Sequence, residues 1–328
     1  MKPGKAKTET IILGIIIAAL LLYLVLRNPD RMNYQLPGLP SIAKAEISRI
    51  DITKAGETIR LEKKDSQWSI QPLGFSSDPA KVNAIVDAIF NLSLTALVSE
   101  SRNYSPYGLD KENEIQVKAY KNEQLLREFS VGNAASTYNH TYVKLTNDPR
   151  VFHAKNSFRS NFDQKIDDLR DKTVLNFDKD EISAIEISSA AEKIIFSKNV
   201  KPVAVKPNEG QPQAQAAPPQ GEVSWLLVDG KPGNNSELTG IIDQASQLTC
   251  EQFIAGKTKD DFKEPIYTVL FKGRKDFLLS IFPKAEKEIS YAAVSSESPY
   301  PFLLSAYKVE NIMKKPDILK NEKTLSNP

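Results

Sequence analysis

The stretch EISRIDITKAGETIRLEKK, residues 46–64, recurs without gaps as EISAIEISSAAEKIIFSKN, residues 181–199. Nine of the nineteen positions are identical at an offset of 135, among them Ile50/Ile185, Ile52/Ile187 and Ile59/Ile194. Self-similarity at a fixed offset marks a repeated structural unit. Within the first copy Ile50, Ile52, Ile59 and Leu61 alternate around Lys54-Ala55-Gly56-Glu57, the pattern of a β-hairpin with one apolar face.

The match extends outward from there. Trp68 corresponds to Trp225 at an offset of 157, and the 22 extra residues are those of Val200–Gly221. That segment holds Pro202, Pro207, Pro212, Pro218 and Pro219 and no aromatic residue, so it reads as a low-complexity extended insert in copy two. Ala84-Ile85-Val86-Asp87 then matches Gly240-Ile241-Ile242-Asp243, and Leu92, Leu97 and Val98 match Leu248, Phe253 and Ile254. Leu125–Val131 pairs with Phe277–Pro283, Tyr142 with Tyr291, and Val151-Phe152 with Tyr300–Phe302. Asp78-Pro79 predicts a helix start, and Val82, Ile85, Val86 and Ile89 form one stripe of that helix. Strands are expected near Ile115–Lys121, Leu125–Val131, Tyr142–Leu145 and Arg150–His153, with a short helix near Asn156–Phe162. The fold class this predicts is α+β: an N-terminal transmembrane helix, then two tandem repeats. Each repeat is a mostly antiparallel sheet covered by one main helix, with Trp68 or Trp225 at the seam.

Charge and composition locate the rest. Of the 328 residues 41% are apolar, but fifteen of the sixteen from Ile11 to Leu26 are, with Gly14 the exception. Residues 1–31 carry a net +3, which leaves −1 for the remainder of a chain whose total is +2. A near-neutral remainder excludes a nucleic-acid binder that relies on a basic domain. The single Cys excludes an internal disulfide framework, and two His leave little for a histidine-rich metal centre. The apolar run is followed by Arg27-Asn28-Pro29-Asp30-Arg31, without an Ala-x-Ala cleavage pattern or a lipoprotein Cys, which favours an uncleaved signal anchor over a cleaved peptide. Lys2, Lys5 and Lys7 favour a cytoplasmic N-terminus, although Arg27 and Arg31 oppose it. The expected layout is a cytoplasmic tip and anchor over 1–31, a stalk over 32–43 and a first unit over 44–165. A linker over 166–178, a second unit over 179–315 with the insert at 200–221, and a tail over 316–328 complete it. The expected location is the inner (cytoplasmic) membrane, single-pass, with the C-terminal part periplasmic.

No segment announces a reaction. Ala255-Gly256-Lys257-Thr258 resembles the end of a phosphate loop, but Glu251 stands where the motif requires Gly, so a helix end and turn is the reading. Asp87 and Asp243 occupy matched positions, yet Asp87 lies opposite the apolar stripe and reads as a solvated helix residue. Strand alternation can bring His140 and His153 to one sheet, without the carboxylate or spacing of a known metal motif. Cys250 aligns with Leu94 and reads as a small buried hydrophobe. No Gly-x-Ser-x-Gly elbow occurs, and Asn91, Asn103, Asn139 and Asn234 head Asn-x-Ser/Thr triplets that composition alone produces. No catalytic, cofactor-binding or metal-binding residue is therefore assigned, and no cofactor.

Tyr107-Gly108-Leu109-Asp110 and Asp168-Leu169-Arg170-Asp171-Lys172 carry information of another kind. With the Trp68 strand, the Asp78-Pro79 helix start, Val131-Gly132 and Tyr142-Val143, they resemble the domain of unknown function 4340 family. The resemblance covers about 60–200 and, weakly, the second copy, which lacks the Tyr-Gly-Leu turn. It implies a membrane-anchored bacterial envelope protein, often encoded beside ABC-type transport components related to gliding-motility systems. It supplies no catalytic residues. Read from their own chemistry, Gly108 and Asp110 are turn formers, and Arg170 is a linker charge able to pair with Asp167 or Asp171. The expected function is a non-enzymatic, membrane-anchored accessory or scaffold protein in an ABC-type transport or motility-related complex. Its expected partners are inner-membrane lipid through Ile11–Leu26 and proteins of that complex, with no nucleic acid. The alternative is an envelope enzyme or small-ligand receptor using the cleft between the repeats.

Overall fold

The computed structural model describes residues 5–26, 34–136, 139–190, 192–201, 222–284 and 288–320. Of the sequence expectations, the insert from residue 202 to 221, the tip 1–4, the residues 27–33 that flank the apolar run, and the tail from 321 lie outside the described residues. The first elements are α1 (Lys5–Leu26), β1 (Arg49–Lys54), β2 (Glu57–Lys64), β3 (Gln67–Gln71), β4 (Phe75–Ser76) and α2 (Pro79–Phe90). They are followed by β5 (Leu94–Ser99), β6 (Ile115–Lys121), β7 (Gln124–Ala134), β8 (His140–Leu145), β9 (Asp148–Lys155) and α3 (Arg159–Phe162). Next come α4 (Ile166–Leu169), β10 (Thr173–Asn176), β11 (Ala184–Ser189), β12 (Lys193–Lys201), β13 (Glu222–Leu227) and α5 (Asn235–Ala245). The chain closes with β14 (Gln247–Thr249), β15 (Gln252–Phe253), β16 (Tyr267–Lys272), β17 (Phe277–Ile281), β18 (Ser290–Ser295), β19 (Phe302–Ser305), α6 (Ala306–Ile312) and α7 (Pro316–Leu319).

The chain divides into two compact units, Met1–Leu73 with Ala80–Gln164, and Gly74–Pro79 with Lys165–Pro328. In the first, strands lie in the order β3-β2-β1-β6-β7-β8-β9-β5; in the second, β13-β12-β11-β16-β17-β18-β19-β15. Taking β11 for β1 and so on along the chain, the two orders are the same. The hairpin read from residues 46–64 forms with Ile50 opposite Leu61 and Ile52 opposite Ile59, and its twin with Ile185 opposite Phe196 and Ile187 opposite Ile194. Ala55 and Gly56 both take positive φ, which suits the two-residue turn that matches strand twist.

Strand register corrects two details of the sequence alignment. Phe129 faces Val117, and Leu279 faces Val269, while Ile52 and Ile187 fix Val117 and Val269 as equivalents. Phe277 is therefore the counterpart of Arg127, two residues away from the sequence pairing of Leu125–Val131 with Phe277–Pro283. Val143 opposes Phe152 as Ala293 opposes Phe302, so Tyr142 answers to Ala292, not Tyr291. A slip of one residue moves a side chain to the other face of a sheet.

The expected fold class is corrected. Strand accounts for 41% of the structure and helix for 24%, so the molecule is mostly β, built on large sheets, not α+β. The physical reason is size: α2 has 12 residues and is about 18 Å long, whereas eight strands at ~4.8 Å spacing span about 34 Å. One such helix covers only part of its sheet. Of the two Trp, Trp225 is buried at 2% exposure and lies in the core of the second unit with Phe196, Leu238 and Ile241, while Trp68 is only half-buried.

The membrane expectations are corrected as well. Among the described residues no helix is long and apolar enough to cross a membrane. The apolar run of sixteen residues rises about 24 Å, short of the ~30 Å hydrocarbon core. The single-pass anchor, the inner-membrane location and the orientation drawn from it are not supported by the structure.

Candidate functional site

The chemistry suspected in the sequence resolves first into framework. Asp87 of α2 pairs with Lys44, and Asp243 of α5 pairs with Lys179 at 2.6 Å. Lys44 and Lys179 open equivalent short 3-10 turns, Lys44–Glu46 and Lys179–Glu181, so the same ion pair ties turn to helix in both units. All four side chains are about half exposed, and the pairs act as surface staples. Cys250 is buried, and burial pushes its thiol up to about 11, which leaves it unreactive at neutral pH. Gly256 takes positive φ in a turn that follows β15, so the Ala255–Thr258 segment leaves a strand, not a helix. Thr258 then caps the next turn through Asp261.

The two histidines meet. His140 on β8 and His153 on β9 stack with ring centroids 5.2 Å apart and planes 26° apart. Tyr142, directly across from His153, lies 5.1 Å from it, and Tyr107 meets Tyr142 edge-on at 5.0 Å. The four rings form a half-buried row on the sheet face opposite the buried Val143, Phe152 and Ala154. Desolvation lowers the His153 pKa, with the neighbouring His140 adding to it, and its buried Nε2 has no hydrogen-bond partner. In the second unit Ser290, Ala292 and Leu303 take the places of His140, Tyr142 and His153.

The turn that delivers Tyr107 is fixed by two glycines. Gly108 has φ +62°, and a Cβ there would lie 2.5 Å from the Asn133 side chain. A Cβ on Gly132 would lie 2.2 Å from the Tyr107 carbonyl oxygen, and Leu109 is buried against the same strand end. The Tyr-Gly-Leu and Val-Gly segments, apart in sequence, are thus one contact.

Arg170 forms a second cluster, inside the second unit. Its guanidinium carbon lies 3.6 Å from the Phe253 ring centroid, 3.9 Å from that of Phe75 and 5.0 Å from that of Tyr300. Asp167 is its ion partner at 3.7 Å, and Asp167 also reaches Lys172 at 3.3 Å. Backbone bonds from Asp78 N–H to the Leu169 carbonyl and from Asp171 N–H to the Ser76 carbonyl stitch the segment 74–79 beside it. Burial lowers the Arg170 pKa, with Asp167 opposing. Close contact of one cation with several aromatic rings is a role in which the planar guanidinium of Arg is not interchangeable with Lys.

Sequence reasoning missed Arg127. It sits on the core face of β7 at 8% exposure and donates to the carbonyls of Ile89, of Phe90 at 3.3 Å and of Pro40 at 2.6 Å. In the second unit the equivalent helix-end carbonyl, on Ser246, accepts instead from the Phe177 backbone N–H, and Phe277 packs on the Phe177 ring at 5.1 Å. The signal was present as an Arg in a strand whose core-facing neighbours are Phe129 and Val131.

A family described as "Domain of unknown function (DUF4340)" matches residues 68–265, a span that begins at Trp68 and runs into the second unit. No curated protein and no solved structure matches the chain.

Proposed function

Because the chain belongs to the DUF4340 family, we propose that it works without catalysing a reaction, as an accessory scaffold that binds protein components of an ABC-type transport complex. One observation carries this reading. What the two units share is framework: strand order, hairpin register and the Lys44–Asp87 and Lys179–Asp243 staples. What differs is a sheet face, where the row of His140, His153, Tyr142 and Tyr107 has Ser290, Ala292 and Leu303 in the other unit. Duplicated frames of which only one carries such a face suit a molecule that presents that face to a partner. Tyrosine, which supplies two of the four rings, is among the side chains enriched where protein interfaces concentrate their binding energy. The partner class is the one that the family resemblance implies.

Crosslinking of the intact protein in its native cells, followed by mass spectrometry, tests the proposal. The expected result is a crosslink from the first unit to a subunit of an ABC-type transporter. Recovery of the protein without any transporter subunit, under conditions where known complexes crosslink, overturns it.

A further inference from the structure

The same hollow is built twice. In the second unit α5 and the end of α6 flank a polar groove of about 580 Å³, lined by Glu237, Gly240, Asp243, Gln247, Asn311 and Lys314 among others. In the first unit a smaller groove of about 310 Å³ is lined by Ala84, Asp87, Asn91 and Asn161. The offset that aligns α2 with α5 carries Ala84, Asp87 and Asn91 onto Gly240, Asp243 and Gln247. The register that aligns Phe152 with Phe302 carries Asn161 onto Asn311. Each groove therefore presents one carboxylate and two side-chain amides from equivalent places.

Folding accounts for part of this set. Asp87 and Asp243 serve the lysine staples, and Asn161 donates to the Ala84 carbonyl at 3.3 Å. It does not account for Gly240. This residue lies in the middle of α5, with open space where a Cβ would be, and α2 carries Ala84 at the matching position. Glycine in a helix interior costs about 1 kcal/mol relative to alanine. Its effect here is to lower the groove floor to bare backbone, as suits close approach of a ligand.

We propose that the α5–α6 groove binds a neutral, polyhydroxylated ligand, an oligosaccharide. Its charges are already matched, Asp243 with Lys179 at 2.6 Å and Glu237 with Lys314 at 3.3 Å, so a charged ligand gains little there. What remains are the amides of Gln244, Gln247 and Asn311 and the Ser236 hydroxyl. Each both donates and accepts, as sugar hydroxyls do. Among the described residues no aromatic or large aliphatic side chain lines the groove, so it lacks the anchor pocket that a protein partner's central residue fills. The smaller groove of the first unit, floored by Ala84, is the weaker copy. This inference stands apart from the scaffold reading, and either can fail alone.

Saturation-transfer NMR on the full chain tests it, with maltotriose, cellotriose, chitotriose and mannotriose as probes and trialanine as the peptide control. At least one trisaccharide is expected to bind, and trialanine is not. Gly240→Ala should weaken that binding at least fivefold while raising the melting temperature, a combination that a purely structural role does not produce. Gln247→Ala should also weaken it, and Ala84→Gly should not. Three results overturn the assignment: no trisaccharide binds, trialanine binds in their place, or binding survives both Gly240→Ala and Gln247→Ala.

Discussion

Replacing Arg127 by Met removes a buried cation while keeping similar length and volume. Three backbone carbonyls, those of Pro40, Ile89 and Phe90, then lose their donor. An unsatisfied buried acceptor costs about 1–3 kcal/mol, and release of the desolvated charge offsets part of the total. That offset is real, because burial already holds the Arg127 pKa below its usual value and no carboxylate among the described residues opposes it. The two last α2 carbonyls stand at a helix end, where a cation also meets the negative pole of the helix dipole, worth up to ~2 kcal/mol when partly buried. The expected net loss is about 3 kcal/mol, or roughly 10 °C in the melting temperature of a unit this size. Arg127→Lys should fall between, since one ammonium cannot serve both Pro40 and the helix end. Arg127→Phe, which copies Phe277, should not rescue, because the N–H that serves Ser246 in the second unit has no counterpart bond to Phe90 among the described residues. Differential scanning calorimetry of the full chain measures this, and hydrogen exchange at Ile42–Glu46 reports whether the preceding segment loosens. A melting shift below 2 °C for Arg127→Met, or an increase, would refute the reasoning and place this residue among buried ions that hydrophobic isosteres replace at no cost.

Other perturbations give equally definite outcomes. His153 has a folded pKa below the ~6.5 of the unfolded chain, so the unfolded state binds the extra proton first. Stability should hold above that pH and fall as the pH drops from it toward the folded value; urea midpoints at pH 8 and 5.5 should show the loss, and His153→Leu, which copies Leu303, should flatten it. Gly132→Ala places a methyl against the Tyr107 carbonyl and should cost about 2–4 kcal/mol, with limited proteolysis opening the loop around residues 105–113. Cys250, held up to about 11, should resist iodoacetamide at pH 8 in the folded protein and react once urea unfolds it. A double-mutant cycle on Lys179 and Asp243 should return only a weak coupling that added salt abolishes, as for any solvent-screened pair.

The β frame was legible because alternation leaves a strong trace. Ile50, Ile52 and Ile59, repeated as Ile185, Ile187 and Ile194, could face one way only in paired strands, and they do. Alignment past the helices drifted where turns differ in length, around residues 122–123 and 273–276, since an apolar strand fits its neighbour almost as well two residues along. The fold class misled because α2 and α5 have the clearest periodicity but cover little of the sheets. The anchor misled because its apolar density is high although its length is short. The convergence of Tyr107, Tyr142, His140 and His153 needed the register, which no local pattern encodes. The Gly240 groove needed a comparison of the two units, because one glycine in a helix means little until its twin is an alanine.

Site-specific photocrosslinking tests the central claim, that one frame was duplicated and only one of its sheet faces was made into a partner surface. The photoreactive residue replaces Tyr142 in one protein and its register equivalent Ala292 in another, each expressed at native level. Crosslinks to an ABC-type transport subunit from position 142, and none from position 292, are the predicted result. Crosslinks of equal yield from both positions, or from neither, would contradict it.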